Sequence, residues 1–82
     1  MNDKQLIERI VCDPRVMVGK PVIKGTRLTV EYILDLLAHG SSAHEILAEY
    51  DGLRDEDIHA CLLFASHSLS RMTFMPLDAE TA

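Results

Sequence analysis

The sequence predicts a mainly α-helical single domain, in which a small N-terminal β element precedes three helices. Its 82 residues are 48% hydrophobic, which suits one globular domain and is too hydrophobic for a disordered chain. Apolar residues recur with a period near two before residue 29 and near 3.6 after it, as in strands and helices respectively. Glycines and helix-capping residues then divide residues 29–69 into three segments.

Residues 1–28 are predicted to form the β element, and the first third of the chain has the pattern of extended structure. Gly19-Lys20 separates the short apolar runs 16–18 and 22–23, which is the spacing of a tight hairpin turn. Pro21 cannot donate a hydrogen bond within a sheet. We therefore expect two or three strands, with any strand at Pro21 short or at a sheet edge.

The first two helices have clear boundary signals. Thr29 is a suitable N-cap for the first helix, and Gly40 fits the left-handed position that ends it. Ser42 and Glu45 have the spacing of a capping box for the second helix, and Gly52 ends that helix.

The third helix is predicted to begin near Arg54 or Asp55 and to end near Leu69. It has more apolar surface than one core needs, because two of its sides are apolar. With about 100° between successive residues, one stripe contains Ile58, Cys61, Leu62, Ala65 and Leu69, and the other side contains Ala60, Leu63 and Phe64. A helix that is apolar on both sides is buried on both sides. We therefore expect a homodimer through Leu63 and Phe64; the alternative is that the N-terminal strands cover this side within one chain.

The tail of residues 70–82 completes a single domain made of residues 1–28, 29–69 and 70–82. Its apolar side chains, among them Met72, Phe74 and Met75, would be costly to expose together. They are expected to pack on the domain or on a partner.

The charge is unevenly distributed along the chain. The net charge of −5 argues against a general nucleic-acid binder. However, residues 14–30 carry Arg15, Lys20, Lys24 and Arg27 and no acid, whereas residues 31–82 carry ten acidic side chains and two arginines. Lys20, Lys24 and Arg27 are the best candidates for phosphate contacts, and the alternative is that they form a solvated hairpin surface.

No pattern indicates catalysis, a cofactor or a metal. The segment GKPVIKGT lacks the phosphate-loop spacing, and the histidines and the two cysteines lack the spacing of metal ligands. We therefore expect a protein that is not an enzyme and binds no metal or cofactor. Without an apolar run near 18 residues or an export signal, we also expect a cytoplasmic protein with no membrane partner.

About residues 7–69 resemble the prokaryotic domain-of-unknown-function family 433. The matching motifs, in order, are Gly19-Lys20-Pro21 with Ile23, Gly25-Thr26-Arg27, Thr29-Val30, Gly40, Ile46-Leu47, Tyr50, Gly52-Leu53, Asp57-Ile58 and Ala60. The resemblance implies a homeodomain-like helix-turn-helix fold and a VapB-like type II antitoxin, often encoded beside a PIN-like nuclease toxin. Such an antitoxin neutralises the toxin and can repress its own operon.

One departure from the family concerns the start of the third helix. The family usually has Thr or Ser there, often followed by Pro, whereas this chain has Arg54-Asp55. The departure moves the expected N-cap to Asp55 and places a positive charge where DNA could be contacted.

The leading functional hypothesis is therefore a small dimeric antitoxin that binds a PIN-like toxin and operator DNA. In it Lys20, Lys24, Arg27 and Arg54 contact phosphate, His59 reaches a base edge, and residues 72–77 engage the toxin. The alternative is an acidic dimeric protein-interaction module with no DNA-binding role, because an acidic surface suits a basic nuclease partner.

Overall fold

The computed structural model describes residues 1–72, which form four α-helices and a two-stranded antiparallel sheet. This confirms the predicted small, largely helical domain with a β element near its N-terminus. The elements, in chain order, are α1 (Asp3–Ile7), β1 (Ile10–Cys12), β2 (Pro21–Ile23), α2 (Val30–Ala38), α3 (Ala43–Glu49) and α4 (Asp55–Leu69). No helix of residues 1–72 is both long enough and apolar enough to cross a bilayer.

Helix α1 is absent from the sequence-based prediction, which was wrong in treating residues 3–7 as extended. The side chain of Asn2 accepts a hydrogen bond from the Gln5 amide at 2.8 Å, and the side chain of Gln5 accepts one from the Asn2 amide at 3.0 Å. This reciprocal capping starts the helix. Five residues are too few to form a stable helix alone, so α1 depends on its packing against α4.

The β hairpin has a different connection from the predicted one. Its strands are short, as Pro21 led us to expect, and pair Ile10 with Ile23 and Cys12 with Pro21. The prediction of a tight turn at Gly19-Lys20 was wrong, because the pairing strand is Ile10–Cys12 rather than residues 16–18 and the connection spans residues 13–20. This pairing places Ile10 and Ile23 together at the core.

Within that connection, three consecutive residues have left-handed backbone angles. The φ values are 50° at Met17, 55° at Val18 and 79° at Gly19. Glycine tolerates this region, but a β-branched residue there is strained. Val18 is also 93% exposed, so burial of its side chain does not offset the strain.

Helices α2 and α3 have the predicted boundaries. The Thr29 hydroxyl accepts from the Tyr32 amide at 3.0 Å, and Ser42 and Glu45 cap α3 reciprocally at 3.1 and 2.8 Å. Gly40 and Gly52 adopt positive φ values of 100° and 88° after the two helices. These contacts confirm the capping signals, which act through neighbouring residues.

Helix α4 begins at Asp55 and ends at Leu69, as predicted, but its N-cap is Arg54 and not Asp55. The amide of Arg54 donates to Asp57 Oδ2 at 3.0 Å, and the amide of Asp57 donates to the Arg54 carbonyl at 2.9 Å. Asp57, three residues into the turn, thus stabilises the helix start in place of an N-cap side chain.

The core is an aliphatic cluster contributed by β2 and the three later helices. Its buried members are Ile23, Val30, Ile33, Ile46, Ile58 and Cys61. The predicted inner stripe of α4 was wrong at two positions, since Leu62 is 48% and Leu69 is 63% exposed, and Ala60 is fully buried. The helix is rotated from the predicted orientation because α1 and α2 both pack against it. Helix α1, which was not predicted, and strand β1 both contact α4.

An ion pair joins the N-terminal segment to α4. Arg9 Nε donates to Asp57 Oδ1 at 2.7 Å across 48 residues of sequence, and both side chains are largely buried. The hydrogen bond to Asp57 raises the pKa of the Arg9 guanidinium above its ordinary value, so Arg9 stays protonated. The Arg9 carbonyl also accepts from the Lys24 amide at 2.7 Å. Asp57 and Arg9 together hold α4, β1 and the end of β2 at one junction.

Asp57→Asn is expected to lower the free energy of unfolding by about 2 kcal/mol, because it leaves a partly buried guanidinium without its counter-charge. The matched control is Asp13→Asn, which neutralises a half-buried carboxylate whose partner, Arg15, is exposed to solvent, and it should change stability by less than about 1 kcal/mol. Urea unfolding monitored by circular dichroism measures both. Equal losses in the two variants would contradict a structural role for the Arg9–Asp57 pair.

Val18→Gly is expected to raise the free energy of unfolding by about 0.5–1 kcal/mol. Relief of the left-handed strain outweighs the greater chain entropy of glycine in the unfolded state. Val16→Gly is the control, because Val16 has an ordinary φ of −121° and is half-buried, so this substitution should destabilise. Thermal unfolding of both variants gives the comparison. A loss of stability in Val18→Gly as large as that in Val16→Gly would contradict the inference that the backbone is strained at Val18.

Candidate functional site

An open apolar groove lies between α2 and α4, with a volume of about 520 Å³. We call it the α2/α4 groove, and its apolar lining comprises Val30, Leu34 and Ala38 of α2 and Phe64, Ala65 and Leu69 of α4. The α2 residues recur every fourth position, which places them on one face of the helix. The groove is thus the outward continuation of the contact between the two helices.

The depth of the groove follows from the burial of its lining. Val30 is buried in the core and forms the floor, whereas Leu69 is exposed at the mouth. Phe64 is half-buried and packs against the core cluster. Exposed apolar surface of this kind, gathered in a concave site, is typical of a contact surface for a ligand or a protein.

The α2 rim of the groove is acidic. Glu31 and Asp35 lie one helical turn apart, and their side chains are exposed to solvent. Glu31 accepts a hydrogen bond from Lys20 Nζ at 3.0 Å, and Asp35 Oδ1 lies 3.6 Å from His39 Nδ1. On the α4 rim, Ser68 is polar and uncharged. Because exposed ion pairs are weak, both carboxylates can exchange their present partners for those of a bound molecule.

The basic residues predicted to contact phosphate have different neighbours in the fold. Lys20 pairs with Glu31 at the groove rim, Lys24 lines a polar cleft with Arg9 and Asp57, and Arg27 and Asp13 both line another depression. The predicted phosphate contacts stay predictions.

The remaining predicted DNA contacts lie around the start of α4. Arg54 is exposed at the N-cap, and His59 is exposed on the outer side of the helix. In the part of the chain that the structure describes, the ion pairs do not include Lys24, Arg27 or Arg54. Among the described residues, these three exposed cations are therefore not neutralised by an ion pair.

The residues predicted to contact a partner occupy different environments. Leu63 and Phe64 are half-buried within the chain, and Met72 is 65% exposed beyond the end of α4. Phe74 and Met75 lie outside the described residues. Phe64 is the one of these that lines the α2/α4 groove; Leu69, which lines its mouth, was not predicted to contact a partner.

Two groups with shifted pKa values have structural explanations. The hydroxyls of Tyr32 and Tyr50 share a hydrogen bond, and their rings meet edge to face with centroids 6.1 Å apart. That hydrogen bond raises the pKa of Tyr50 to about 12. Burial, followed by the nearby Asp57 charge, raises the pKa of Cys61 to about 12. Both groups are therefore protonated near neutral pH, and Cys61 is not a thiolate nucleophile.

Within residues 1–72, the His, Cys, Asp and Glu side chains form no cluster of three that could hold a metal ion.

Comparison with known proteins identifies the family. The model of the family described as "Protein of unknown function (DUF433)" matches residues 10–65, from the start of β1 into α4, and the chain belongs to this family. This confirms the resemblance seen in the sequence. An uncharacterized protein of Archaeoglobus fulgidus is 68% identical over 25 residues, which cover 30% of this chain and 69% of that protein. No solved structure matches the chain.

Proposed function

We propose that the chain is an antitoxin that acts by binding a nuclease toxin of the PIN-like type, and that it is not an enzyme. The observation that carries this proposal is the α2/α4 groove, an exposed apolar cleft with an acidic rim. Binding a partner there would remove apolar surface from water, at about 25 cal/mol for each Å² buried. The cytoplasmic location expected from the sequence stays part of this proposal.

The charge distribution supports a basic partner. The ten acidic side chains of residues 31–82 give this part of the chain a negative field that would accelerate encounter with a positive surface. A nuclease needs a positive surface to bind RNA. An acidic protein bound there would compete with the RNA without any catalysis of its own.

A helix-turn-helix arrangement is the second part of the proposal. We propose that α3 and α4, joined by a short turn with left-handed Gly52, form a homeodomain-like unit that contacts operator DNA. The support is electrostatic, because Lys24, Arg27 and Arg54 are exposed. In addition, Arg9 neutralises Asp57, which reduces the negative charge of the three carboxylates in the first turn of α4. The acidic interaction module without DNA binding is the alternative that the exposed Asp55 favours.

A homodimer through Leu63 and Phe64 also stays a proposal. It has less support than the groove, since both side chains are already half-buried within one chain. Packing of α1 against α4 also removes part of the apolar excess that suggested a dimer.

The antitoxin proposal predicts that the protein inhibits a nuclease encoded beside its own gene. Each flanking gene product is purified alone and together with the full chain, and cleavage of a labelled RNA is followed. We expect one product to co-purify stoichiometrically and its cleavage rate to fall by about tenfold once the chain is present at about ten times the Kd of the complex. Unchanged cleavage with every flanking product at excess protein would contradict the proposal.

The DNA-binding proposal predicts salt-sensitive, sequence-selective binding to the upstream region of the gene. Fluorescence anisotropy measures the binding constants for that duplex and for a scrambled one at about 50 and 200 mM salt. Each phosphate contact adds about 0.9 to the slope of the logarithm of the binding constant against the logarithm of the salt concentration. The double variant Lys24→Glu and Arg27→Glu should lower the slope by about two contacts. Lys4→Glu with Arg71→Glu makes the same charge change elsewhere. Equal binding to both duplexes would favour the interaction module.

A further inference from the structure

We infer that the α2/α4 groove binds an amphipathic helix of the partner protein, with basic side chains along one edge of that helix. The inference rests on the proposed partner-binding function and names the surface and the chemistry of its occupant.

The shape of the groove fits one helix. Two helices form its walls, and a third helix can insert a ridge of apolar side chains between two packed helices. The nine residues of α2 span about 13 Å at 1.5 Å per residue. This length accommodates about two and a half turns, or three apolar anchors spaced three or four residues apart.

The rim of the groove determines the charge of the occupant. Asp35 is exposed, and its neighbour His39 carries a charge only when it is protonated. Glu31, one turn earlier, has only an exposed ion pair with Lys20. A helix in the groove would therefore gain from lysine or arginine side chains four residues apart on the edge that faces α2.

A second copy of this chain fits the groove less well. In a symmetric dimer each copy would bring the same acidic rim, with Glu31 and Asp35, to the interface. Each copy also carries a net charge of −5. Like charges at an interface oppose association, whereas a basic helix is attracted by the same carboxylates.

The probe that tests this inference is a labelled synthetic peptide of leucine and lysine with the leucines in helical phase. Its binding to the full chain is measured by fluorescence anisotropy at about 0.15 M salt, where long-range attraction is screened beyond about 8 Å. We expect it to bind about tenfold more tightly than a peptide of the same composition with the helical phase scrambled. The corresponding leucine and glutamate peptide should not bind.

Variants on the same helix separate the groove from the rest of the surface. Leu69→Gln alters the mouth of the groove, and Leu62→Gln alters an exposed leucine of α4 that does not line it. Leu69→Gln should weaken the peptide complex about fivefold or more, the range of a contributing contact, and Leu62→Gln should not change it. Asp35→Lys should weaken it further, whereas Asp51→Lys, in the turn after α3, should have a smaller effect.

Three results would overturn the inference. Equal affinity for the phased and scrambled peptides would mean that charge alone attracts them. Equal effects of Leu69→Gln and Leu62→Gln would place binding elsewhere. A dimer in sedimentation that only Leu69→Gln dissociates would assign the groove to a second copy. If Leu69→Gln inhibits the nuclease at the same concentration as the unmodified chain, the groove inference fails while the antitoxin proposal stands. If no flanking product is inhibited but the peptide results hold, the antitoxin proposal fails alone.

Discussion

Asp57 accepts a hydrogen bond on each of its carboxylate oxygens, one from the Arg9 guanidinium and one from the amide of Arg54. The first bond fastens the N-terminal segment to α4, and the second forms the start of that helix. A buried carboxylate is costly unless both its charge and its lone pairs are satisfied. Because Arg9 also accepts the Lys24 amide through its carbonyl, three separate parts of the chain depend on one charged pair.

The groove depends on that arrangement. The N-terminal segment is fixed against α4 by the contact with Asp57. In this orientation of the helix, Ala60 and Cys61 face the interior and Leu69 lies at the surface. The side of α4 near Phe64 and Ala65 faces α2, and an open apolar cleft lies between the two helices. The acidic rim has a different origin: in the sequence of α2, Glu31 and Asp35 occupy the positions next to the apolar residues that line the groove.

The sequence was sufficient at the boundaries of α2 and α3, where the structural cause lies within one turn. The Thr29 cap, the Ser42–Glu45 box and the two glycine stops act over three or four residues, and all of them lie where they were predicted. Helix α1 has a local signal too, because Asn2 and Gln5 have capping-box spacing, but five residues have no detectable helical period. Its stability comes from α4, which is more than 40 residues away in sequence.

Contacts between residues that are far apart in sequence could not be predicted, because the sequence pattern carries only local information. Nothing near Arg9 indicates that its partner is Asp57, and a run of basic residues in sequence does not show which neighbours Lys20, Lys24 and Arg27 have in the fold. The orientation of α4 was predicted from apolar content alone, which cannot distinguish Leu62 from Ala60 when both sides are apolar. The α2/α4 groove, formed between two helices, has no signature in either helix considered separately.

The sequence separation of the Arg9–Asp57 contact also bears on the order of folding. Helices α2, α3 and α4 are neighbours along the chain and close short loops, whereas joining Arg9 to Asp57 closes a loop of 48 residues, whose entropy cost is larger. We expect the three helices to associate first and the N-terminal segment to dock afterwards. In the native state the same hierarchy makes α1 the first unit to open, with rapid amide exchange there and slow exchange in α2 and α4. Both walls of the groove therefore belong to the part of the molecule that forms early and opens last.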